Sequence, residues 1–352
     1  MGMSSSKNKI SDEQKYKINE QKEKTVCKIK DKSSGSDSIR FDIERRDIII
    51  KKNKPKLNNT QSYNKIKNKN VIILILEAKN EDIHKNIYFL DNINYINESR
   101  KKGFMKDIEK IKDKILINIS DPNKKNIKIQ FNNKFNPKIE GVYSVEIEIP
   151  KLCEDLGYMF YGCSHLIDVD LSNFDFSIVT NMNDMFNYCI NLTNIRFNRL
   201  GVEKVKNMSY MFNYCKNLEK IDLSNFNTKE VTDMGGMFQH CEKLKELNLE
   251  KFDTKKVKQF SCMFNNCYDL KKVFFSNDFD TSQAIFMIWM FYGCESLEEI
   301  NLSSFKIKTK TLSNNIGDMF EGCDNLKKIE INGDYYNQFK FNNIKFKDKF
   351  IY

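Results

Sequence analysis

Long apolar runs are missing from this 352-residue chain: the longest, Val71 to Leu76, falls far short of the roughly 20 residues a membrane-spanning helix needs. The first residues contain no apolar stretch of the roughly 7–15 residues that marks a secretory leader, and no cysteine follows an apolar stretch there. The expected location is therefore intracellular, with the cell surface as the alternative if an unrecognised export route exists. Imidazole ligands are scarce, only His84, His165 and His240, and no C-x-x-C pair occurs, which excludes the usual zinc-ligand spacings. His240 stands beside Cys241 through its place in a repeat and reads as a surface histidine. Phosphate-binding glycine loops, H-E-x-x-H, G-x-S-x-G and the kinase signatures are all missing. The adjacent acids Glu298 and Glu299, and Asp168 with Asp170, read as charges on a solvated strand face. No catalytic residue, metal ligand or cofactor is expected.

What the chain does contain is a period. Met-Phe followed three residues later by Cys occurs seven times, from Met159-Phe160-Cys163 to Met319-Phe320-Cys323, at spacings of 26, 26, 26, 26, 27 and 29 residues. A period of this length marks a solenoid, whose units bury their apolar faces only by stacking. In each unit a short alternating run, such as Val169 and Leu171 between Asp168, Asp170 and Ser172, predicts a half-buried strand. Leu218, Ile221 and Leu223 predict the same two units further on. A phenylalanine then closes the run (Phe174, Phe226, Phe252, Phe279, Phe305). After it, Val179, Met182, Met185, Phe186, Cys189 and Leu192 advance in steps that keep to one face of an α- or 3₁₀-helical segment. Asn181, Asn207 and Asp233, just ahead of the Met-x-x-Met-Phe segment, can accept from free backbone N–H groups. The extra residue of the 27-residue copy falls beside Asn277 and Asp278, and the three of the 29-residue copy between Phe305 and Ile316, outside the core positions.

The pattern L-S-N-F-x-T-x-x-V-x-x-M-x-x-M-F-x-x-C, as in IDLSNFNTKEVTDMGGMFQHC, resembles the BspA-like leucine-rich repeats, especially the 26-residue repeat of mycoplasma surface lipoproteins. The likeness covers 151–332. It implies an α/β leucine-rich-repeat solenoid of about seven coils, with parallel short strands and short helical segments, used for protein binding or adhesion. Nothing in that family supplies a catalytic residue. Arg199-Leu200 stands where Asn-Phe is usual and Ala284 where Val is usual.

Around the repeats the chain changes character. Residues 1–70 hold 19 basic and 9 acidic residues, so the whole net charge of +10 belongs to this segment and the remainder is neutral. Residues 1–67, rich in Lys, Asn and Ser, read as a disordered basic tail. Met1-Gly2-Met3-Ser4-Ser5-Ser6 fits the N-myristoylation pattern and makes Gly2 a lipidation candidate. Acyl chain and lysines together fit tethering to an anionic membrane surface. Residues 68–150 read as a small α+β domain capping the first coil, with strands at 70–77, 87–90, 127–131 and 142–149 and a helix within 99–116. The aromatic segment 333–352 (Tyr335, Tyr336, Phe339, Phe341, Phe346, Phe350) reads as the C-terminal cap.

Seven of the ten cysteines occupy one repeat position and predict a buried column of reduced thiols; Cys27, Cys153 and Cys262 lie outside it. The expected working surface is the outer face of the strands. Its central column is Asp170, Arg196, Asp222, Asn248, Phe274, Asn301 and Glu330, flanked by Asp168, Asn194, Lys220, Glu246, Lys272, Glu299, Lys328 and by a second polar row. Mixed signs there fit a protein partner and disfavour nucleic acid. Phe274 is the expected hot spot, with Arg196 and Asp222 flanking it.

Overall fold

A computed structural model describes residues 70–90, 104–150, 153–197, 202–277, 279–306, 316–337 and 344–351, all within one compact unit, Asn68–Tyr352. The basic tail with Gly2 and Cys27, and Arg199, Leu200, Phe339 and Phe341, lie outside the described residues.

Strand β1 (Val71–Ala78) is the apolar run noted above; strands pair with both of its edges, and most of its side chains are buried on either face. A short β2 (Ile87–Tyr88) follows, then a one-and-a-half-turn helix α1 (Phe104–Glu109), β3 (Leu116–Ser120), β4 (Asn126–Ile129), β5 (Lys134–Phe135) and β6 (Gly141–Glu148). The helix is shorter than its spacing predicted, and β3 takes over the end of that segment. There Ile115, Ile117 and Ile119 are buried at a period of two, so strand alternation prevails over helical spacing. β6 pairs antiparallel with β1 and with β3, and β1 pairs antiparallel with β7 (Leu166–Asn173), the first strand of the repeats. β7 pairs parallel with β8 (Asn194–Phe197), giving the sheet order β4-β3-β6-β1-β7-β8.

The seven Met-Phe-x-x-Cys motifs bound about six stacked turns of a β-solenoid. Strands β9 (Glu246–Leu249) and β10 (Lys272–Phe275) pair in parallel, as do β11 (Glu299–Leu302) and β12 (Lys328–Ile331). On another side, single parallel bridges connect Asp155, Asn181, Asn207, Asp233, Gln259 and Phe286 in succession.

The predicted helical segments are absent from the described residues of the repeats; overlapping four-residue turns replace them. In the first copy Met159 N–H donates to Leu156 O, Tyr161 to Tyr158 and Cys163 to Phe160, while the intervening N–H groups of Tyr158, Phe160 and Gly162 donate to Asn183, Met185 and Asn187 of the next coil. An α-helix would turn every N–H along its own axis; here alternate ones point out of the coil. That alternation requires left-handed backbone at two positions per coil. Positive φ recurs at 158 and 162, 184 and 188, 210 and 214, 236 and 240, 262 and 266, 289 and 293, 318 and 322. These are third positions of turns, where type II geometry demands it. Only four of the fourteen are glycine; the others include Tyr, His and Trp, and such residues cost on the order of 1 kcal/mol each. The inter-coil hydrogen bonds hold them there. Asn181, Asn207 and Asp233 do accept from backbone N–H, each from the residue two ahead (Asn183, Ser209, Gly235), as Asx turns opening this segment.

Inside, the Met-Phe rings form one stack. Phe160, Phe186, Phe212, Phe238, Phe264, Phe291 and Phe320 follow at centroid distances of 5.1–5.8 Å and interplanar angles of 15° or less. Phe346 and Phe350, from the segment ending in β13 (Phe350–Ile351), meet the last ring edge-on at 6.0 and 6.5 Å. The strand ladder, unlike this stack, is interrupted. Residues 218–223 form no strand although Leu218 and Leu223 are buried, and β10 and β11 are not paired. Both interruptions follow a coil whose last inward strand residue is phenylalanine, Phe197 or Phe275, where other coils have Leu or Ile. Phe197 contacts the stack rings Phe186 and Phe212 and reaches Phe226 of the next coil at 4.9 Å; Phe275 contacts Phe264 and Phe291 and reaches Phe305 at 5.2 Å. The larger ring fills the space through which the next strand would close to the roughly 4.8 Å of a ladder.

The cysteine column is buried and reduced. Each thiol from Cys189 to Cys323 donates to the phenylalanine carbonyl of the preceding coil, from Cys189 Sγ to Phe160 O at 3.0 Å through Cys323 Sγ to Phe291 O at 3.0 Å. Burial pushes the thiols of Cys189, Cys215, Cys241, Cys267 and Cys294 far above their ordinary value. Ionisation in the unfolded chain, beginning near the ordinary value of 9.0, therefore favours unfolding. Stability is at its full value below about pH 8 and falls above about pH 9, by up to about 1.4 kcal/mol per thiol for each further pH unit. Denaturant melts between pH 7 and 10 should show this loss, and a thiol reagent at pH 8 should label the column only as fast as the protein unfolds.

Candidate interaction surface

The outer strand face carries its columns in the anticipated register wherever a ladder exists. Asp168 pairs with Asn194 and Asp170 with Arg196; Glu246 pairs with Lys272 and Asn248 with Phe274; Glu299 pairs with Lys328 and Asn301 with Glu330. At Asp222 the column passes through a non-strand segment, so it consists of three paired pieces.

Near the first coils the face is an internally bonded cluster of two carboxylates around one guanidinium. Arg196 donates two hydrogen bonds to Asp168, at 2.8 and 3.0 Å, and one to Asp170 at 3.1 Å, while Asn194 donates to Asp168 at 2.8 Å. Asp170 is only 3% exposed, because β1 covers it on one side, with Ile73 opposite, and Arg196 on the other. This corrects its assignment as an accessible partner-binding residue and as a solvated charge. Arg196 is half-exposed, but its guanidinium is committed to both carboxylates.

Phe274 is separated from Arg196 by the coils of Asp222 and Asn248, so Arg196 and Asp222 do not flank it. Its ladder neighbour is Asn248, and it is 42% exposed amid Glu246, Lys272 and Asn248. Several polar members of the column are held by local bonds. Asp222, Asn248 and Asn301 each accept from the N–H two residues on, and the bonds from Ser224 hold the Asp222 carboxyl below its usual range. Glu330 lies 3.4 Å from Lys328. Inter-coil ion pairs continue around the turns: Lys245 with Glu219 at 3.2 Å, Lys256 with Glu230 at 2.7 Å, Lys306 with Asp280 at 2.7 Å and Lys327 with Glu298 at 2.8 Å.

The other side corrects a second expectation. His240 is buried, not on the surface, and its ring stacks on Tyr214 at 4.1 Å, which in turn stacks on Tyr188 at 4.5 Å. Among the described residues no group of three or more His, Cys, Asp or Glu is placed to hold a metal ion, and no helix is long and apolar enough to cross a membrane.

Coils of about 26 residues, bonded to one another through their main chains and filled by columns of identical side chains, define a repeat β-solenoid. The family model described as Mycoplasma protein of unknown function, DUF285, matches residues 154–277 and, overlapping, 244–346, and the chain belongs to that family. No curated protein and no solved structure matches it.

Replacing Arg196 with Met keeps its packing and strips Asp170 of its cation. Because the guanidinium is partly in water, a modest loss of about 1–2 kcal/mol is expected in urea unfolding. Adding Asp170→Asn should recover part of it.

Proposed function

We propose that this protein is a non-enzymatic interaction scaffold or adaptor that binds a protein partner on the strand face of its repeats. The observation carrying the reading is the half-exposed Phe274, an aromatic side chain on a ladder whose other outer residues are polar or charged. Aromatic anchors ringed by polar groups are the usual energetic centres of protein interfaces. Asn248 and Lys272 supply its polar border, and Asn301, Glu330 and Asp222 extend it. In this reading the repeats are of the BspA-like leucine-rich type, and the two ends are caps. β1 occupies the edge of β7 at one end, and Phe346 and Phe350 cover Phe320 at the other, which keeps the stack from adding further coils.

The protein acts inside the cell, held at the inner face of a membrane by acylated Gly2 and the basic tail. The second reading, a surface adhesin, draws on the resemblance to mycoplasma surface lipoproteins and predicts that proteases added to intact source cells release repeat peptides. Substituting Phe274→Ala should weaken binding of a partner isolated from source cells by at least about tenfold; affinity within about threefold would remove Phe274 from the interface. Gly2→Ala should release the protein from floated membranes, and unchanged flotation would rule out the acyl tether.

A further inference from the structure

The sixth coil departs from the others on its outer side. Where the preceding coil places Lys258, Gln259 and Ser261, it has Ile285, Phe286 and Ile288, and Trp289 and Tyr292 replace that coil's Cys262 and Asn265. The register is unambiguous, since Gln259 bridges to Phe286 and Cys262 N–H donates to Ile288 O. None of the five side chains is buried: Ile285 is 42% and Tyr292 36% exposed, and the other three are half-buried. Phe286 cannot supply the side-chain acceptor that opens the turn in earlier coils. This coil therefore gives up a local hydrogen bond and displays apolar surface in its place, and such a contiguous patch marks an interaction site.

Its edge toward the seventh coil carries two carboxylates. Trp289 Nε1 donates to Asp318 Oδ2 at 3.4 Å, and the Trp289 and Tyr292 rings lie 6.1 Å apart. Glu321 and Asp318 lie close enough to Tyr292 to help burial raise its hydroxyl pKa. Both carboxylates are exposed, and among the described residues Lys345 pairs with Glu321 at 3.2 Å. Lys258 lies beside Ile285 at the other edge. We propose that the outer side of the sixth coil docks an amphipathic segment of a partner protein whose apolar face meets Ile285 and Ile288 and whose lysines or arginines reach Asp318, Glu321 and the faces of Trp289 and Tyr292. Aromatic faces attract such cations, whereas an anionic membrane would be repelled by the same two carboxylates.

Trp289 is the single tryptophan of the chain, so its emission reports directly on this surface. The probe is a synthetic Leu/Lys amphipathic helix of about 18 residues, titrated into the full chain alongside a Leu/Glu version. Saturable change in Trp289 emission is expected with the Leu/Lys peptide alone. It should weaken by about tenfold or more in D318K/E321K, whose sites are exposed, and in Ile285→Ser, with circular dichroism unchanged. Phe274→Ala should leave the titration as it was, which separates this surface from the strand face. No response, an equal response to both peptides, indifference to D318K/E321K or sensitivity to Phe274→Ala would overturn the proposal. So would a larger response to phosphatidylserine vesicles, or a shift on raising protein concentration alone, which would give the surface to a second copy of the chain.

Discussion

No coil of this protein can satisfy its own main chain. Along each of the first six Met-Phe-x-x-Cys segments about half of the N–H groups close turns within the coil and half bond to a carbonyl of the next one. A buried, unpaired N–H costs on the order of a lost hydrogen bond or more, so a coil without a neighbour is unstable for polar reasons as well as for its exposed apolar face. The ring stack, the thiol column and the Asx turns are all built on that exchange. It also explains why bulky residues tolerate left-handed backbone: the turn geometry is imposed by neighbouring coils rather than by glycine.

The cysteines fit the same logic. Each thiol from Cys189 to Cys323 adds a donor to a phenylalanine carbonyl that already accepts from the cysteine N–H of its own coil, so the column links successive coils. A valine there would fill similar space but donate nothing, and a serine would bring a more strongly hydrated hydroxyl into an apolar column.

The period, the buried positions and the strand register were legible in the sequence because they depend on side-chain type at fixed spacing, which stacking reads out directly. The helical segments were misread because Met182, Met185, Phe186 and Cys189 advance by steps that a chain of four-residue turns produces as readily as a helix. A usable signal was present: the two left-handed positions of each coil collect Gly162, Gly236, Gly293 and Gly322 with Asp184, Asn266 and Asp318, residues that suit positive φ. Asp170 lies on the outer strand face, as alternation indicated, but it is buried there: what alternation could not reveal was that β1 and Arg196 would cover it. Arg196 and Asp222 were set beside Phe274 because a column was treated as a point, although stacked coils separate its members along the solenoid axis. The exposed aromatic run of the sixth coil was readable as a break in the polar outer pattern, but only its placement beside Asp318 and Glu321 gives it a chemical preference.

The phenylalanine wedges at Phe197 and Phe275 have a mechanical meaning. Paired strands stiffen β7-β8, β9-β10 and β11-β12 in shear, whereas beyond each wedge the load on this face passes largely through side-chain packing, which can slide and tilt. The solenoid is thus a rod of three rigid blocks joined by two compliant seams. Bending and twisting will concentrate at those seams, and Phe274 sits in the ladder that borders the second of them, where the curvature of the strand face can adapt to what is laid against it.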